Sequence, residues 1–287
     1  MSFTLFTDSG CDISPALLAE WGVKHLPLTF RFQDAEQEYT GDDMPSEEFY
    51  AQMRNGRVAK TAAINSECFM MAFEEELKEG KDVLYLGFSS GLSTTYNSSR
   101  LAALELNEKY PDRKVVVVDT LCASAGQGLL VYLTVEQIKN GATLEEAAAF
   151  AEGNKAAVSH WFTVSDLVYL KRGGRVSATS AFIGNALAIK PVLHVDDAGK
   201  LVNVQKAMGR KKSIADMAQK YTDTALDAQN GTVFISHADC QADAQALADM
   251  LNKKHGASVA VITNIGPVIG AHAGPGTLAL FFMGKQR

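Results

Sequence analysis

A run of hydroxyl side chains gives the sequence its densest chemical signal. Residues 89–99, SSGLSTTYNSS, carry seven aliphatic hydroxyls among eleven residues. The run follows an apolar predicted strand and opens a predicted helix, so it lies at the carboxyl end of a strand, where open α/β sheets bind ligands. Hydroxyl donors and the free N–H groups of a helix N-terminus suit an anion, and a carboxylate matches them better than a triphosphate. A Ser/Thr-rich helix cap is the plainer interpretation.

The same run also matches part of a nucleophile elbow. The tripeptide Gly-Leu-Ser that ends at Ser93 fits the first half of G-x-S-x-G, but Thr95 replaces the second glycine that lets the strained turn pack. Asp119 and His272 follow in a chain order that could complete a catalytic triad. A serine hydrolase that uses Ser93 and His272 therefore stays open as an alternative function.

Two further segments place polar residues in predicted connections. Thr61 lies in KTAAINS (residues 60–66), just before a predicted helix, and alone it would indicate only a connection. His272 lies in GPVIGAHAGPG (residues 266–276), a predicted loop whose glycines let the backbone approach a ligand closely. A histidine there could donate to an anion or act as a base, although a lone histidine is more often structural.

Basic residues cluster in two places of an acidic chain. One cluster is KRGGR, with Arg172 and Arg175, and the other is RKK, which begins at Arg210. A solvated surface is the ordinary interpretation, whereas a phosphate site or an acidic partner is the functional one. The sequence has no HExxH motif, and the histidine and cysteine of HADC (residues 237–240) are too few for a zinc shell. We therefore predict no metal site.

Alternating strands and helices must position these residues. The first half alternates helical segments with apolar strands predicted at residues 3–7, 24–32, 82–88 and 114–119. That pattern predicts a parallel sheet with helices on its faces. In the second half a hairpin signal, DDAG, separates two apolar runs and indicates a mixed or antiparallel sheet. We predict an α/β fold with two domains, residues 1–158 and 159–287.

Capping residues mark several helix starts. Ser14 precedes Pro15 at a first helical position, and Ser66 is the predicted cap of a later helix. Thr143 and Glu146 have the spacing of a capping box. These signals predict where helices begin, independently of any packing between them.

Composition excludes several classes of protein. The 287 residues are 47% hydrophobic and 21% charged, which is typical of a globular protein and not of a disordered or coiled-coil one. The net charge of −6 argues against a nucleic-acid partner. The four scattered cysteines fit reduced thiols, and we find neither a signal peptide nor a transmembrane segment. We therefore expect a cytoplasmic protein.

Several segments, in this order along the chain, resemble the DegV family. They are TDSGCDISPALLAEWGV, SSGLSTTYNSS, VVVVDT, LVYLKRGGRVS and GPVIGAHAGPGTLAL. The resemblance covers essentially the whole chain, and it is the order of the segments together with the last one that makes it specific. It implies a two-domain α/β protein that binds a long-chain fatty acid as its ligand between the two domains, with no cofactor and no catalysis of its own. It also implies a separate kinase subunit that phosphorylates the bound carboxylate, so that the acyl phosphate feeds phospholipid synthesis.

The resemblance also implies roles for individual residues. The fatty-acid carboxylate is expected to meet Thr61, Ser93 and His272. The basic residues expected to face the kinase are Arg172 or Arg175, and Arg210. An acyl-chain tunnel would need apolar residues, for which the candidates are Phe162, Phe182, Ile183 and Leu187, although ordinary core is the plainer interpretation of each.

This chain departs from the family pattern beside the expected head group. The family commonly shows TSQPS where this chain has Thr-Ala-Ala-Ile-Asn at residues 61–65, and GLSGTY where this chain has Thr94 in place of the glycine. A threonine narrows the loop beside the carboxylate. We expect Ala62, Ala63 and Thr94 to influence the pose of the ligand.

Overall fold

Strands and helices alternate along most of the chain in a computed structural model of the protein, which describes residues 2–176 and 189–285. The strands are β1 (Phe3–Asp8), β2 (Val23–Leu26), β3 (Thr29–Phe32), β4 (Ala59–Ala62), β5 (Asp82–Gly87), β6 (Val115–Asp119), β7 (Val158–Thr163), β8 (Ile189–Val195), β9 (Leu201–Met208), β10 (Val233–His237), β11 (Val259–Asn264) and β12 (Leu278–Met283). The α-helices are α1 (Pro15–Glu20), α2 (Ser46–Arg54), α3 (Ser66–Lys78), α4 (Thr95–Lys109), α5 (Ala125–Lys139), α6 (Leu144–Asn154), α7 (Val168–Arg172), α8 (Arg210–Thr224), α9 (Gln241–His255) and α10 (Pro267–Ala273).

The first sheet has the order β2-β1-β5-β6, and all its neighbours are parallel. Every residue of β5 is buried, because helices cover both faces of the sheet. Val83 and Tyr85 pack with α3 and α4, whereas Leu84 and Leu86 face the core that includes α5. The predicted parallel sheet flanked by helices is therefore confirmed.

The second sheet has the order β11-β10-β12-β7-β8-β9. Strands β10 and β11 are parallel, and the other neighbours are antiparallel. The predicted hairpin joins β8 to β9 through a turn in which Gly199 has a φ of +70°. This sheet is mixed, as the sequence predicts.

A third, two-stranded sheet pairs β3 with β4 and brings Thr61 opposite Phe30. The sequence analysis predicts one strand over residues 24–32, and this is wrong. The strand is interrupted at Pro27, which has no N–H for a ladder, and the Leu28 N–H bonds to the Ser9 side chain instead. The break lets β3 leave the first sheet and carry its partner β4 toward the ligand site.

Helix α5 lies between the two large sheets. Leu129 and Leu130 of α5 belong to one apolar cluster that includes Leu84 of β5 and Phe281 of β12. Sheet membership changes at Val158, where β7 begins, but the apolar core continues across that point. The division into domains at residue 158 stays a prediction.

Local capping signals predicted two helix starts correctly and placed a third one residue too late. Ser14 accepts the Leu17 N–H, and Thr143 forms the predicted capping box. Helix α3 is capped by Asn65, one residue before the predicted Ser66.

Three helices of the second half were not predicted. Helices α7 and α9 were missed, and the predicted loop over residues 266–276 is wrong, because residues 267–273 form α10. Pro267 occupies its first position, where a proline costs no backbone hydrogen bond.

Candidate functional site

A cavity of about 460 Å³ lies where the carboxyl ends of β5 and β6 face β7, β8 and β12. Its volume is in the range of small-molecule sites. The three predicted head-group residues Thr61, Ser93 and His272 all line it, and so does Phe162. The structure therefore brings together residues that are distant in sequence.

Thr61 and His272 form a direct pair at the polar end of the cavity. Thr61 Oγ1 lies 2.8 Å from His272 Nε2, while His272 Nδ1 is buried without a hydrogen-bond partner in the described part of the chain. Burial, and secondarily the charge of Arg175, lowers the pKa of His272 to about 4. The imidazole is therefore neutral at neutral pH, and it carries one proton that it can share with Thr61 or a ligand.

The close packing of the His272 ring has a backbone cause. A Cβ atom added to Gly173 would lie 2.2 Å from His272 Nδ1, so the ring fits only because residue 173 has no side chain. Helix α10 carries His272. Its C-terminus is capped by the Thr277 hydroxyl, which donates to the carbonyls of Ala273 and Gly274. These contacts fix the position of the imidazole.

Ser93 lies at the start of α4, as the sequence predicts. Its N–H donates to the Ser89 carbonyl at 3.0 Å, and its Oγ accepts the Thr95 N–H at 3.2 Å. Ser93 Oγ is also 2.9 Å from Thr95 Oγ1. The hydroxyl therefore sits at the N-terminus of a 15-residue helix, where the local field favours a negative charge.

Arg175 is the one Asp, Glu, Lys or Arg side chain among the described residues that line the cavity. It is half-buried, and its Nε and Nη2 donate to the Leu92 carbonyl at 3.2 and 3.1 Å. A third bond joins its Nη1 to the Gly173 carbonyl. Arg175 thus links the loop before α4 to the loop after α7, with its charge at the polar end.

The other two predicted partner-facing arginines lie in different surroundings. Arg172 is exposed, with its guanidinium 5.7 Å from the centre of the Tyr169 ring. Arg210 is half-buried at the start of α8 and pairs with Asp243 at 2.8 Å. The partner-facing role of these arginines stays a prediction.

The remaining wall of the cavity is largely apolar. Ala279 and Phe281 of β12 lie opposite Phe162 and His160 of β7, and Val195 of β8 extends the same wall. Other apolar lining residues are Leu28, Phe88, Leu92, Leu170, Leu201, Ile265, Val268 and Ile269. Phe182, Ile183 and Leu187, the other predicted tunnel residues, lie outside the described residues.

Comparisons with known proteins were made for the whole chain. A profile described as an uncharacterised protein of the DegV family matches residues 2–285. The chain belongs to the DegV family. A DegV domain-containing protein of Clostridium perfringens is 44% identical over 286 residues, which are 99% of this chain and 98% of that protein. The resemblance seen in the sequence is therefore confirmed.

Two relatives are named for lipid binding. A fatty acid-binding protein of Thermotoga maritima is 33% identical over 97% of this DegV-family chain and 96% of its own length. A solved structure described as fatty acid binding of a DegV family protein from Thermus thermophilus superposes with a TM-score of 0.89. It is 30% identical and covers 99% of this chain and 100% of its own.

The geometry does not favour the serine hydrolase. Ser93 Oγ bonds to Thr95, and the partner of His272 is Thr61. The carboxylate of Asp119 accepts the N–H groups of Ser90 and Leu121 instead of orienting a histidine. Among the described residues, no hydrogen bond joins the three members of the predicted triad.

Residues 2–176 and 189–285 contain neither a metal-binding cluster nor a membrane-spanning helix. No group of three His, Cys, Asp or Glu side chains is placed to hold a metal ion there. In the same ranges, no helix is both long enough and apolar enough to cross a membrane.

Proposed function

We propose that this DegV-family protein binds a long-chain fatty acid, with the carboxylate against Thr61, Ser93 and His272 and the acyl chain along the apolar wall. The observation that carries the proposal is the division of one cavity into a polar end and an apolar remainder. The names of the relatives from Thermotoga maritima and Thermus thermophilus support the same ligand class.

The charge balance of the polar end suits a carboxylate. A buried carboxylate is costly unless it is hydrogen-bonded and compensated. Two hydroxyls and a neutral imidazole supply hydrogen bonds without adding negative charge, and Arg175 supplies the one positive charge among the described residues that line the cavity. The helix terminus at Ser93 adds a favourable field.

The apolar wall supplies most of the binding free energy. Burying an alkyl chain gains about 0.8 kcal/mol per CH₂, so a chain of about 16 carbons gains on the order of 10 kcal/mol before ordering costs. Neutral side chains at the carboxylate then need only to offset its desolvation. The polar end sets orientation, and the wall sets affinity.

We further propose that the bound carboxylate is presented to a separate kinase subunit. Ala62, Ala63 and Thr94 line the cavity beside the head-group residues and are exposed, so the polar end opens to solvent. The sequence contains no GxxxxGK[ST] phosphate-binding loop. Arg172, one of the predicted partner-facing arginines, is exposed and therefore accessible to such a partner.

Native mass spectrometry of the purified chain tests ligand binding directly. We expect a mass increment that organic solvent releases and that lipid analysis identifies as a fatty acid. The double variant Thr61→Val with Ser93→Ala should weaken hexadecanoic acid binding by about 1–3 kcal/mol per lost hydrogen bond. Ser90→Ala is the matched control, since Ser90 also lines the cavity. Unchanged affinity in the double variant would refute the assigned residues.

A second experiment addresses the kinase proposal. The pure chain loaded with hexadecanoic acid should not consume ATP, and acyl phosphate should form only after the catalytic subunit of a fatty acid kinase is added. Charge reversal at Arg172 should reduce acyl phosphate formation while leaving fatty-acid affinity unchanged. ATP turnover by the pure chain would contradict the carrier function.

A further inference from the structure

Asp12 is a buried carboxyl group that none of the head-group contacts uses. It lies just after the 3₁₀ turn Ser9–Cys11, with a φ of 51°, and its exposed fraction is 7%. Asp12 does not line the cavity. A buried carboxyl group needs hydrogen-bond partners, and those of Asp12 come from distant parts of the chain.

Four elements meet at Asp12. Its Oδ1 accepts the Gly266 N–H at 2.9 Å, and its Oδ2 bonds to Ser124 Oγ at the start of α5. Ser124 Oγ in turn lies 2.9 Å from Ser236 Oγ of β10. The Asp12 carbonyl accepts from Thr263 Oγ1 of β11 at 2.8 Å.

The Gly266 contact matters because Gly266 is the N-cap residue of α10, the helix that carries His272. Gly266 has no side chain with which to cap the helix, and a helix of seven residues is too short to hold its own geometry. Asp12 satisfies the N–H of the N-cap residue from 254 positions away. Tyr50 forms a second hydrogen bond to the segment before α10, since its hydroxyl donates to the Ile265 carbonyl at 2.7 Å.

We propose that Asp12 is a positioning residue that fixes α10 and thereby sets His272 against the ligand carboxylate. This inference rests on the proposed fatty-acid site. Asp12 touches neither the ligand nor Thr61, and it acts through the backbone of Gly266. Its neutral acid form is the one that fits, because a second negative charge near the cavity would oppose the bound carboxylate.

The surroundings of Asp12 favour the neutral acid. Burial raises the pKa of Asp12 to about 8, and the nearby Asp8 adds to the shift. The titratable groups that face it are Asp8, Cys11 and Tyr50, all buried, and burial raises the pKa of each. No Lys or Arg contributes to the shift of Asp12.

Asp12→Asn and Asp12→Ala separate positioning from general stability. Asparagine has the shape of the neutral acid and can accept from Gly266 and donate to the Ser124 hydroxyl, which accepts as well as donates. Asp82→Ala is the matched control, because Asp82 is also buried but lies at the first residue of β5, at the end of the strand away from the cavity.

Hexadecanoic acid affinity is measured from about pH 6 to about pH 9. We expect the affinity of the wild type to fall above about pH 8. Asp12→Asn should bind as tightly as the wild type does at low pH, and its affinity should not depend on pH. Asp12→Ala should bind about tenfold more weakly than the wild type over the whole range. Asp82→Ala should follow the wild type. Wild-type affinity in Asp12→Ala, or an unchanged pH profile in Asp12→Asn, overturns the proposal.

Amide hydrogen exchange in the ligand-free protein provides a readout that does not need the fatty acid. Asp12→Ala should accelerate exchange at Gly270 and Gly274, whose N–H groups form backbone hydrogen bonds at the two ends of α10. Asp12→Asn should leave this exchange unchanged. If the wild type binds no fatty acid but α10 responds in this way, the proposed function fails and the positioning role stands. Unaltered exchange in Asp12→Ala removes the positioning role.

Discussion

The polar end of the cavity draws its side chains from four separate segments, whereas one part of the apolar wall comes from adjacent strands of the second sheet. Thr61, Ser93, Arg175 and His272 lie on a short strand, a helix start, a loop and a short helix. Ala279 and Phe281 reach the wall from one strand by simple alternation. The polar end therefore depends on how segments dock, and this part of the wall depends on the register of one sheet.

The difference predicts how each region fails. Each polar contact has one geometry, so a small displacement removes it. Apolar packing along the wall is non-directional, so ligand affinity there depends on the volume that the side chains leave open. Substitutions in each region therefore test this contrast.

Blocking the wall should have the largest effect, and it should depend on chain length. Ala279→Phe places a ring beside Phe162 and denies the ligand roughly four methylenes, which is about 3 kcal/mol, or about a hundredfold in affinity for hexadecanoic acid. Octanoic acid should bind nearly as before. Titration of both acids measures the difference.

Ala218→Phe serves as the control for that substitution, since Ala218 is buried in the core cluster on the other face of the second sheet. It should reduce thermal stability without chain-length selectivity. Equal losses for short and long acids in Ala279→Phe would show that the wall and the polar end are not independent.

Removing the charge of the polar end should cost about 2 kcal/mol of binding free energy. Arg175→Met keeps much of the side-chain volume but loses the donors to Leu92 and the positive charge. Calorimetry should show a loss for hexadecanoic acid and little change for hexadecan-1-ol. Arg172→Met, at an exposed position, is the control, and an equal loss in both variants would argue against a cavity role for Arg175.

A single methyl group should disturb the polar end. Gly173→Ala puts a Cβ against the His272 ring and should displace it from Thr61, at a cost of about 1.5 kcal/mol in stability. Gly153→Ala is the matched control, because its added Cβ meets open space within α6 and should be neutral or stabilising. Denaturant unfolding measures both. Equal free energies of unfolding for Gly173→Ala and the wild type would mean that the His272 ring moves aside at no cost in stability.

The pH dependence of stability should reveal His272, with the smallest effect. Its pKa in the folded protein is about 4, below its ordinary value of 6.5, so the folded state favours the neutral ring. The stabilisation is fully present above about pH 6.5 and is lost as the pH falls toward about 4. We expect wild type to lose about 1 kcal/mol more than His272→Gln over that interval. Equal losses of unfolding free energy in the wild type and His272→Gln, measured by chemical denaturation, would contradict the assignment of this pH dependence to His272.

The sequence predicted the polar end better than the wall. Ser93 and His272 lie in segments of marked composition, a hydroxyl-rich run and a glycine-rich segment, whereas Thr61 and the grouping of all three came from the resemblance to the DegV family. Ala279 and Phe281 look like ordinary core residues, since an apolar side chain is the same whether it meets protein or ligand. Only Phe162 among the described wall residues was a candidate.

The errors in the predicted fold arise because contacts between distant residues are not visible in the local sequence. Residues 24–32 have the composition of one strand, and the break at Pro27 depends on a bond from Leu28 to Ser9. Residues 266–276 look like a loop because of their glycines, yet α10 forms there with contacts from Asp12 and Tyr50. Local propensity is a weak prior that tertiary contacts override.

The sequence by itself determined the two classes of sheet and several helix starts, because these follow from local periodicity and capping, and the resemblance of its motifs to the DegV family pointed to Thr61, Ser93 and His272. Tertiary structure alone decided that Thr61 and His272, 211 positions apart, meet at 2.8 Å and that Arg175 lines the cavity. It also decided that Asp12 holds the helix that carries His272. The physical reason is that elements dock through non-directional apolar packing, which leaves no local sequence mark of which distant residues will meet.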